Sequence, residues 1–320
     1  MTDVRTLIDP CLLPGLELMP PLDLSEAALP EIRAAMLQMV AMLPEPEGSG
    51  IGWREERIAA SAQHDIAVRV YTPAAAMARP AILQIHGGGY VMGSAGLSHL
   101  SNIDLAASLQ AVVVSVDYRL APETPAPGPV EDCYAALVWL VEQAAALGVD
   151  PARIAVRGES AGGGLAAALA ILARDRGGPS IVHQNLIYPM LDDRTCVIDR
   201  PAHQGAVVWT RDANRFGWSA LLGREPGGEG VSPYAAPARV EDVAGLPPAF
   251  IAVGALDLFV EEDIEFARRL MAAGIAAELH VYPGAYHAFD ILRDATPAIA
   301  MWDQANAALT RALYSQPADR

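Results

Sequence analysis

The sequence predicts an α/β fold in which a mostly parallel central sheet is flanked by helices. From about residue 80 onward, short apolar runs alternate with longer stretches of helical periodicity. The runs are continuously hydrophobic, which is typical of strands that are covered on both faces. In addition, a Gly-x-Ser-x-Gly motif joins one of these runs to an alanine-rich helical stretch. Together these patterns predict a doubly wound architecture.

The individual elements follow from the same periodicities. The predicted strands of the sheet are residues 81–85, 112–117, 154–158, 185–191, 249–254 and 277–282. The predicted helices are residues 129–147, 161–174, 261–273 and 298–313. In the third helix, Ile264, Ala267 and Met271 have the spacing of an inward face. A hairpin that leads into the sheet is predicted for residues 55–60 and 66–71.

Two regions depart from this alternation and predict a helical cap. Residues 1–50 are rich in proline and contain an amphipathic patch, and residues 192–243 show no strand pattern. Because α/β proteins bind ligands at the carboxyl edge of the sheet, both regions are expected to cover that edge. The predicted organisation is residues 1–50 as the first part of the cap, 51–191 as the first part of the core, 192–243 as the cap insertion and 244–320 as the second part of the core.

The amino-acid composition limits the kinds of partner that are expected for this protein. The 320 residues include 22 basic and 38 acidic side chains, a formal net charge of −16. Such a surface repels phosphate backbones and anionic lipids, so neither nucleic acid nor a membrane is an expected partner. The three cysteines lack the spacing of a disulfide framework or a metal site, which favours a reducing compartment. With no signal peptide or membrane span indicated, a cytoplasmic location is expected, with no metal and no cofactor.

Ser160 is the candidate nucleophile. It lies in Gly158-Glu159-Ser160-Ala161-Gly162, between a predicted strand and a predicted helix. A serine at such a turn holds its hydroxyl out of the sheet, and a larger residue at either glycine would collide with a neighbouring element. A lone motif of this kind can be only a tight turn, but the flanking strand and helix favour the functional interpretation.

A second motif, HGGGY at residues 86–90, predicts an oxyanion hole. It directly follows the strand at residues 81–85. Glycines leave main-chain N–H groups unobstructed, and the expected donors are those of Gly87, Gly88 and Ala161. The alternatives are a flexible loop or a phosphate cradle, but neither a lysine nor a helix start follows the glycines.

The base and its orienting acid are expected late in the chain. Among the seven histidines, His287 follows the last strand, where a loop can bring its ring over Ser160. Asp257 also follows a strand and so lies at the same edge of the sheet. Asp290 is a rival too close in sequence to His287 to reach the far nitrogen of its ring. Glu261 and Glu262 are interpreted as first-turn charges of a helix.

With these residues in place, the chain resembles the hormone-sensitive lipase family of α/β-hydrolases, in its bacterial esterase branch. The resemblance spans about residues 52–315 and rests on HGGGY, DYRLAPE at 117–123, YPMLDD at 188–193, GLPPAFIAVGALD at 245–257 and ELHVYPGAYHAFD at 278–290. It implies an α/β-hydrolase fold with a helical cap, Ser160 as nucleophile, Asp257 as acid and His287 as base. It also implies a homodimer formed through the last strand and helix.

Two positions depart from the family pattern. Glu159 stands where the family usually has aspartate or threonine, and Leu258 follows Asp257 where proline is common. The expected substrate pocket comprises Tyr90, Val91, Met92, Glu159, Trp209, Phe216 and Leu258. Arg119 and Glu123 are interpreted as ion-pairing residues of the scaffold.

The sequence thus predicts a serine carboxylesterase that hydrolyses small-molecule esters with short to medium acyl chains. Alternatives remain open at this point. An amidase, or an enzyme that cleaves lactones or carbamates, would need the same nucleophile and oxyanion hole. A ligand-binding protein of the same fold is a third reading, disfavoured because His287 is present.

Overall fold

A sheet of eight strands forms the centre of the computed structural model, which describes residues 3–19, 23–44, 49–74 and 78–315. The strands are β1 (Ile51–Ala59), β2 (Asp65–Pro73), β3 (Arg79–Ile85), β4 (Val112–Asp117), β5 (Val149–Glu159), β6 (His183–Ile187), β7 (Ala249–Gly254) and β8 (Ala277–Tyr282). Their order is β1-β2-β4-β3-β5-β6-β7-β8. Only the β1–β2 and β2–β4 pairs are antiparallel. The predicted hairpin and mostly parallel sheet are confirmed.

Helices cover both faces of this sheet. The α-helices are α1 (Gly15–Leu18), α2 (Leu29–Ala41), α3 (His99–Leu109), α4 (Gly128–Glu142), α5 (Ala144–Leu147), α6 (Ala161–Asp175), α7 (Arg211–Leu222), α8 (Val260–Ala272) and α9 (Thr296–Tyr314). Helices α3 and α9 pack on one face, whereas α4, α6 and α8 pack on the other. Within the described ranges, no helix is both long enough and apolar enough to cross a bilayer.

The alternation of side chains along the strands explains the two layers. Ile82 and Val113 belong to the core formed with α3 and α9, whereas Leu83 and Val114 belong to the core on the opposite side. Successive residues of a strand point to opposite faces, so a continuous apolar run supplies both cores. This arrangement accounts for the unbroken hydrophobicity that predicted the strands.

Several predicted elements differ in detail from the structure. The strand predicted at 185–191 is β6, which ends at Ile187 because Tyr188 has a positive φ of 35° and Pro189 lacks an N–H. The helix predicted at 129–147 is divided into α4 and α5, and α3 was not predicted. The inward face assigned to α8 is confirmed for Ala267 but wrong for Ile264 and Met271, which are 41% and 50% exposed. Its buried residues include Phe266, Ala267 and Leu270.

Arg33 on α2 connects the N-terminal region to the core through hydrogen bonds and an ion pair. Its Nε and Nη2 donate to the carbonyl oxygens of Val91 and Ala121 at 2.7 and 2.8 Å. The same guanidinium forms a bidentate pair with Glu123, and Arg119 forms another with Asp132. The interpretation of Arg119 and Glu123 as scaffold ion-pairing residues therefore agrees with the contacts, although each pairs with a different partner.

Candidate active site

Ser160 occupies a strained turn between β5 and α6. Its φ and ψ are 56° and −122°, outside the regions that most residues adopt. A Cβ at Gly158 would lie 2.2 Å from the Gly162 oxygen, and one at Gly162 would lie 2.1 Å from the Ile85 oxygen. Both glycines are therefore required by close main-chain approaches, as the sequence motif predicts.

The structure brings Ser160, His287 and Asp257 into one hydrogen-bonded chain. Ser160 Oγ lies 2.9 Å from His287 Nε2, and His287 Nδ1 lies 2.7 Å from Asp257 Oδ2. The other Asp257 oxygen accepts from the Phe259 N–H at 3.0 Å, which fixes the rotation of the carboxylate. All three side chains are buried. In this order the imidazole can accept the serine proton while the carboxylate holds its tautomer.

Aromatic rings enclose the His287 imidazole. The ring centroids of Tyr188 and Phe259 lie 4.8 and 5.2 Å away in edge-to-face arrangements. The Trp209 ring lies at 6.1 Å and also contacts the main chain at Gly89. These contacts leave the imidazole little room to rotate, so it stays aligned with both Ser160 and Asp257.

The glycine loop presents free main-chain donors beside Ser160. Among the described residues, the N–H groups of Gly87 and Gly88 donate no hydrogen bond, and Ala161 is the first residue of α6, whose N–H has no intrahelical acceptor. Gly88 has a φ of +123°, and a Cβ there would lie 2.1 Å from the Met92 oxygen. The N–H of Gly89 is equally free, a candidate donor that the sequence analysis did not single out.

Glu159 points into a charged network next to Ser160. Its carboxylate pairs with the buried Arg157 at 2.9 Å and accepts from Gln84 Nε2 at 2.6 Å. Burial raises the pKa of Glu159, and the Arg157 guanidinium opposes that shift. The Arg157 guanidinium also stacks over the Trp302 ring at 4.5 Å. Glu159 thus lies beside Ser160, where the Arg157 guanidinium offsets its charge.

The rival acids have other partners. Asp290 accepts from the Tyr188 hydroxyl at 2.7 Å, and Glu261 pairs with Arg200. Glu262 lies in the first turn of α8, as interpreted from the sequence, but it has further partners. It is buried and accepts from the main-chain N–H groups of Leu191 and Asp192 at 2.7 and 3.2 Å. Glu262 therefore ties α8 to the loop after β6. Among the described side chains, no His, Cys, Asp and Glu group is suited to hold a metal ion.

Three residues expected in the pocket lie elsewhere. Tyr90 is fully buried, and its hydroxyl donates to the Met190 oxygen at 2.8 Å. Val91 and Met92 are also buried in the core beside it. The expectation for these three is corrected, because the turn after the glycines directs them into the protein.

The remaining residues expected in the pocket lie at different places in the structure. Trp209 lies at the site, as described above. Leu258 is buried against Gly205, directly after Asp257. Phe216, on α7, is half-buried and packs against the large core. Of the three, only Trp209 has a ring contact with His287.

Asp263 on α8 is a buried acid with no hydrogen-bond partner. Both of its carboxyl oxygens are unpaired among the described residues, and the side chain has no exposed surface. Burial, together with the nearby charges of Glu262 and Asp257, raises its pKa well above the usual range. The folded state therefore holds a proton that the unfolded chain releases at lower pH. By linkage, stability falls as the pH rises from the unfolded pKa towards the folded one.

We expect the Asp263→Asn variant to lose less stability than the parent as the pH rises. The amide cannot ionise, so near pH 8 the variant should be more stable than the parent by about 1 to 3 kcal/mol, with a smaller difference near pH 5. The check is the free energy of unfolding in urea at both pH values. Equal pH slopes for the parent and the variant would contradict the assignment of the proton to Asp263.

Known proteins similar to this chain include several esterases. Residues 82–291 match the family described as alpha/beta hydrolase fold. The chain is 36% identical over 290 residues to the carboxylesterase NlhH of Mycobacterium tuberculosis, covering 89% of this chain and 90% of that protein. It is 33% identical over 249 residues to an ethyl acetate hydrolase of Pseudomonas putida, covering 74% and 77%. A solved bacterial heroin esterase superposes with a TM-score of 0.89 at 37% identity, covering 98% of this chain and 100% of that one.

These likenesses extend over most of the chain and agree with the motifs in its sequence. The predicted fold class and the predicted family are both confirmed. The chain belongs to the α/β-hydrolase fold family, in the bacterial esterase branch related to hormone-sensitive lipase, and it is a carboxylic ester hydrolase.

Proposed function

We propose that the protein is a serine carboxylesterase that cleaves esters of short to medium acyl chain length through an acyl-enzyme intermediate. The observation that carries this proposal is the continuous hydrogen-bonded chain from Ser160 through His287 to Asp257. The esterase relatives support the reaction class.

In the first half of the cycle, Ser160 Oγ attacks the ester carbonyl carbon while His287 Nε2 takes the hydroxyl proton. Asp257 stabilises the imidazolium that forms. The carbonyl electron pair moves onto its oxygen, where the N–H groups of Gly87, Gly88 and Ala161 stabilise the negative charge. The C–O bond to the alcohol then breaks, and His287 donates its proton to the departing oxygen.

In the second half, water replaces the alcohol. His287 takes a proton from the water as the water oxygen attacks the acyl carbon. The same main-chain donors stabilise the second oxyanion, and its collapse breaks the acyl–serine bond. The proton on His287 returns to Ser160 Oγ, which restores the free enzyme and releases the acid.

The proposed limit on substrate size comes from the cap, which we assign to residues 1–50 and 192–243, with residues 51–191 and 244–320 as the core. Met36 on α2 and Leu43 after it line a cavity beside the glycine loop. Trp209, in the second cap region, contacts Gly89 in that loop. Side chains from both regions thus lie next to the glycine loop, which supports a limit on the length of the chain that can enter. The cytoplasmic location and the homodimer stay predictions of the sequence.

The test is a series of p-nitrophenyl esters from acetate to palmitate, together with p-nitroacetanilide. We expect kcat/KM to peak below an acyl length of about twelve carbons, because the walled site accommodates a ligand of limited size. Acetate ester turnover should greatly exceed that of the anilide with the same acyl group. A maximum at palmitate would contradict the size limit, and faster anilide cleavage would favour an amidase.

A further inference from the structure

A cavity of about 590 Å³ adjoins the glycine loop on the side of α3 and α9. It reaches the proposed oxyanion donors Gly87 and Gly88 and the Glu159 side chain next to Ser160. Aromatic surface comes from Tyr188 and Trp302. When the carbonyl oxygen of a substrate binds at the glycine loop, either the acyl arm or the alcohol arm of the ester can therefore extend into this cavity.

The charges that face this cavity do not cancel. Its ionisable lining residues besides His86 and Tyr188 are Glu159, Asp290 and Arg293. Glu159 is neutralised by Arg157, and Arg293 pairs with Asp104 at 2.8 Å. Asp290 accepts a hydrogen bond from Tyr188 and forms no ion pair among the described residues, but the charge of the same Arg157 guanidinium also acts on it and opposes the rise of its pKa. Glu159 and Asp290 thus share one guanidinium, which leaves the group of two carboxylates and Arg157 with a net negative charge.

His86 adds an acceptor rather than a positive charge. Burial lowers the pKa of His86, so its ring is neutral near pH 7. Nδ1 lies 2.7 Å from the Gly87 oxygen and must donate to it, which leaves a lone pair on Nε2. That buried Nε2 has no partner among the described residues. His86 Nε2 therefore lacks a donor, and Asp290 lacks an ion-pair partner of its own among the described residues.

We propose that the cavity binds a protonated amine of the substrate, and that Asp290 determines a preference for cationic esters over neutral esters of the same shape. This proposal rests on the proposed esterase function and specifies its substrate class. An ammonium group supplies a second positive charge for the two carboxylates, next to Asp290. The Tyr188 ring also attracts cations, whereas the Trp302 ring already stacks with the Arg157 guanidinium. Burial raises the pKa of Asp290, a cost that a bound cation offsets.

An alternative role for Asp290 has to be distinguished from cation binding. Its charge also interacts with His287, so it could act by stabilising the imidazolium. In that case its removal would slow every ester by the same factor. A preference for cations, in contrast, would be lost selectively, and the ratio of kcat/KM for a cationic ester to that for its neutral counterpart separates the two roles.

The experiment uses two pairs of esters that differ only by a protonated nitrogen in place of a CH group. The first pair, 3-(dimethylamino)propyl acetate and 4-methylpentyl acetate, tests the alcohol arm. The second pair, ethyl 4-(dimethylamino)butanoate and ethyl 5-methylhexanoate, tests the acyl arm. We expect the ratio to exceed one in at least one pair near pH 7.5. In Asp290→Asn this ratio should fall by about tenfold, as for the loss of a partly buried charge contact.

Two further variants complete the design. Asp303→Asn removes the same charge from an exposed position next to Trp302, outside the cavity, and should leave the ratio unchanged. Arg293→Gln removes a cation from the cavity wall and should raise the ratio, so the test holds even if Asp290→Asn folds poorly.

The outcomes separate the two proposals. Failure to cleave any of the four esters would overturn the esterase function itself. Cleavage with no cationic preference in either pair, or an equal loss for both members of a pair in Asp290→Asn, would overturn only the amine site. A ratio that Arg293→Gln fails to raise, or that Asp303→Asn lowers as much as Asp290→Asn does, would also overturn it.

Discussion

Replacement of Ser160 by alanine is expected to lower kcat for ester hydrolysis by about 10⁴- to 10⁶-fold. The variant lacks the oxygen that lies 2.9 Å from His287 Nε2, so no acyl-enzyme can form. The fold should persist, because alanine demands no more of the positive φ at this turn than serine does. The measurement is the steady-state turnover of p-nitrophenyl acetate, with circular dichroism to verify the fold.

A matched control is Ser180→Ala. Ser180 is exposed in the segment before β6, at the opposite end of the strands, and it should retain the parental rate. A p-nitrophenyl phosphonate should add covalently to the parent and to Ser180→Ala but not to Ser160→Ala, as read by intact mass. Turnover by Ser160→Ala within tenfold of the parent, or a phosphonate adduct on another residue, would refute the assignment.

The sequence predicted the convergence at Ser160 because each partner follows a strand of one parallel sheet. The carboxyl ends of β5, β7 and β8 meet at one edge, so Ser160, Asp257 and His287 come together although they are distant in the chain. The topology converts three local patterns into one site. No long-range information beyond the strand pattern is needed for this step.

Side-chain direction, in contrast, depends on contacts that no local pattern contains. Tyr90 adjoins the glycine loop in sequence, but a φ of 68° turns it into the core, where it bonds to Met190. Glu262 has the position of an exposed first-turn acid, yet the loop at Leu191 brings main-chain donors over it. The sequence offers Asp290 only as a rival orienting acid, and its place beside Glu159 and Arg157 emerges only from the packing of distant segments.

Asp257→Asn is expected to lower kcat by about 10⁴-fold, close to the effect of removing the nucleophile. The Phe259 N–H at 3.0 Å requires an oxygen at the Oδ1 position, so the asparagine amide nitrogen must face His287. His287 Nδ1 then accepts a hydrogen bond, and the ring proton moves to Nε2. A protonated Nε2 cannot take the proton of Ser160, although every atom is nearly in place.

The variant therefore tests the tautomer rather than the fold. We expect the free energy of unfolding to change far less than the rate, and the imidazole resonances in a ¹⁵N NMR spectrum to show the proton on Nε2. The double variant Ser160→Ala/Asp257→Asn should be no slower than Ser160→Ala alone, because residues that act as one unit are not additive. If Asp257→Asn kept activity within tenfold of the parent, another acid would have to orient the ring, and Asp290, whose charge also acts on His287, would be the first to examine.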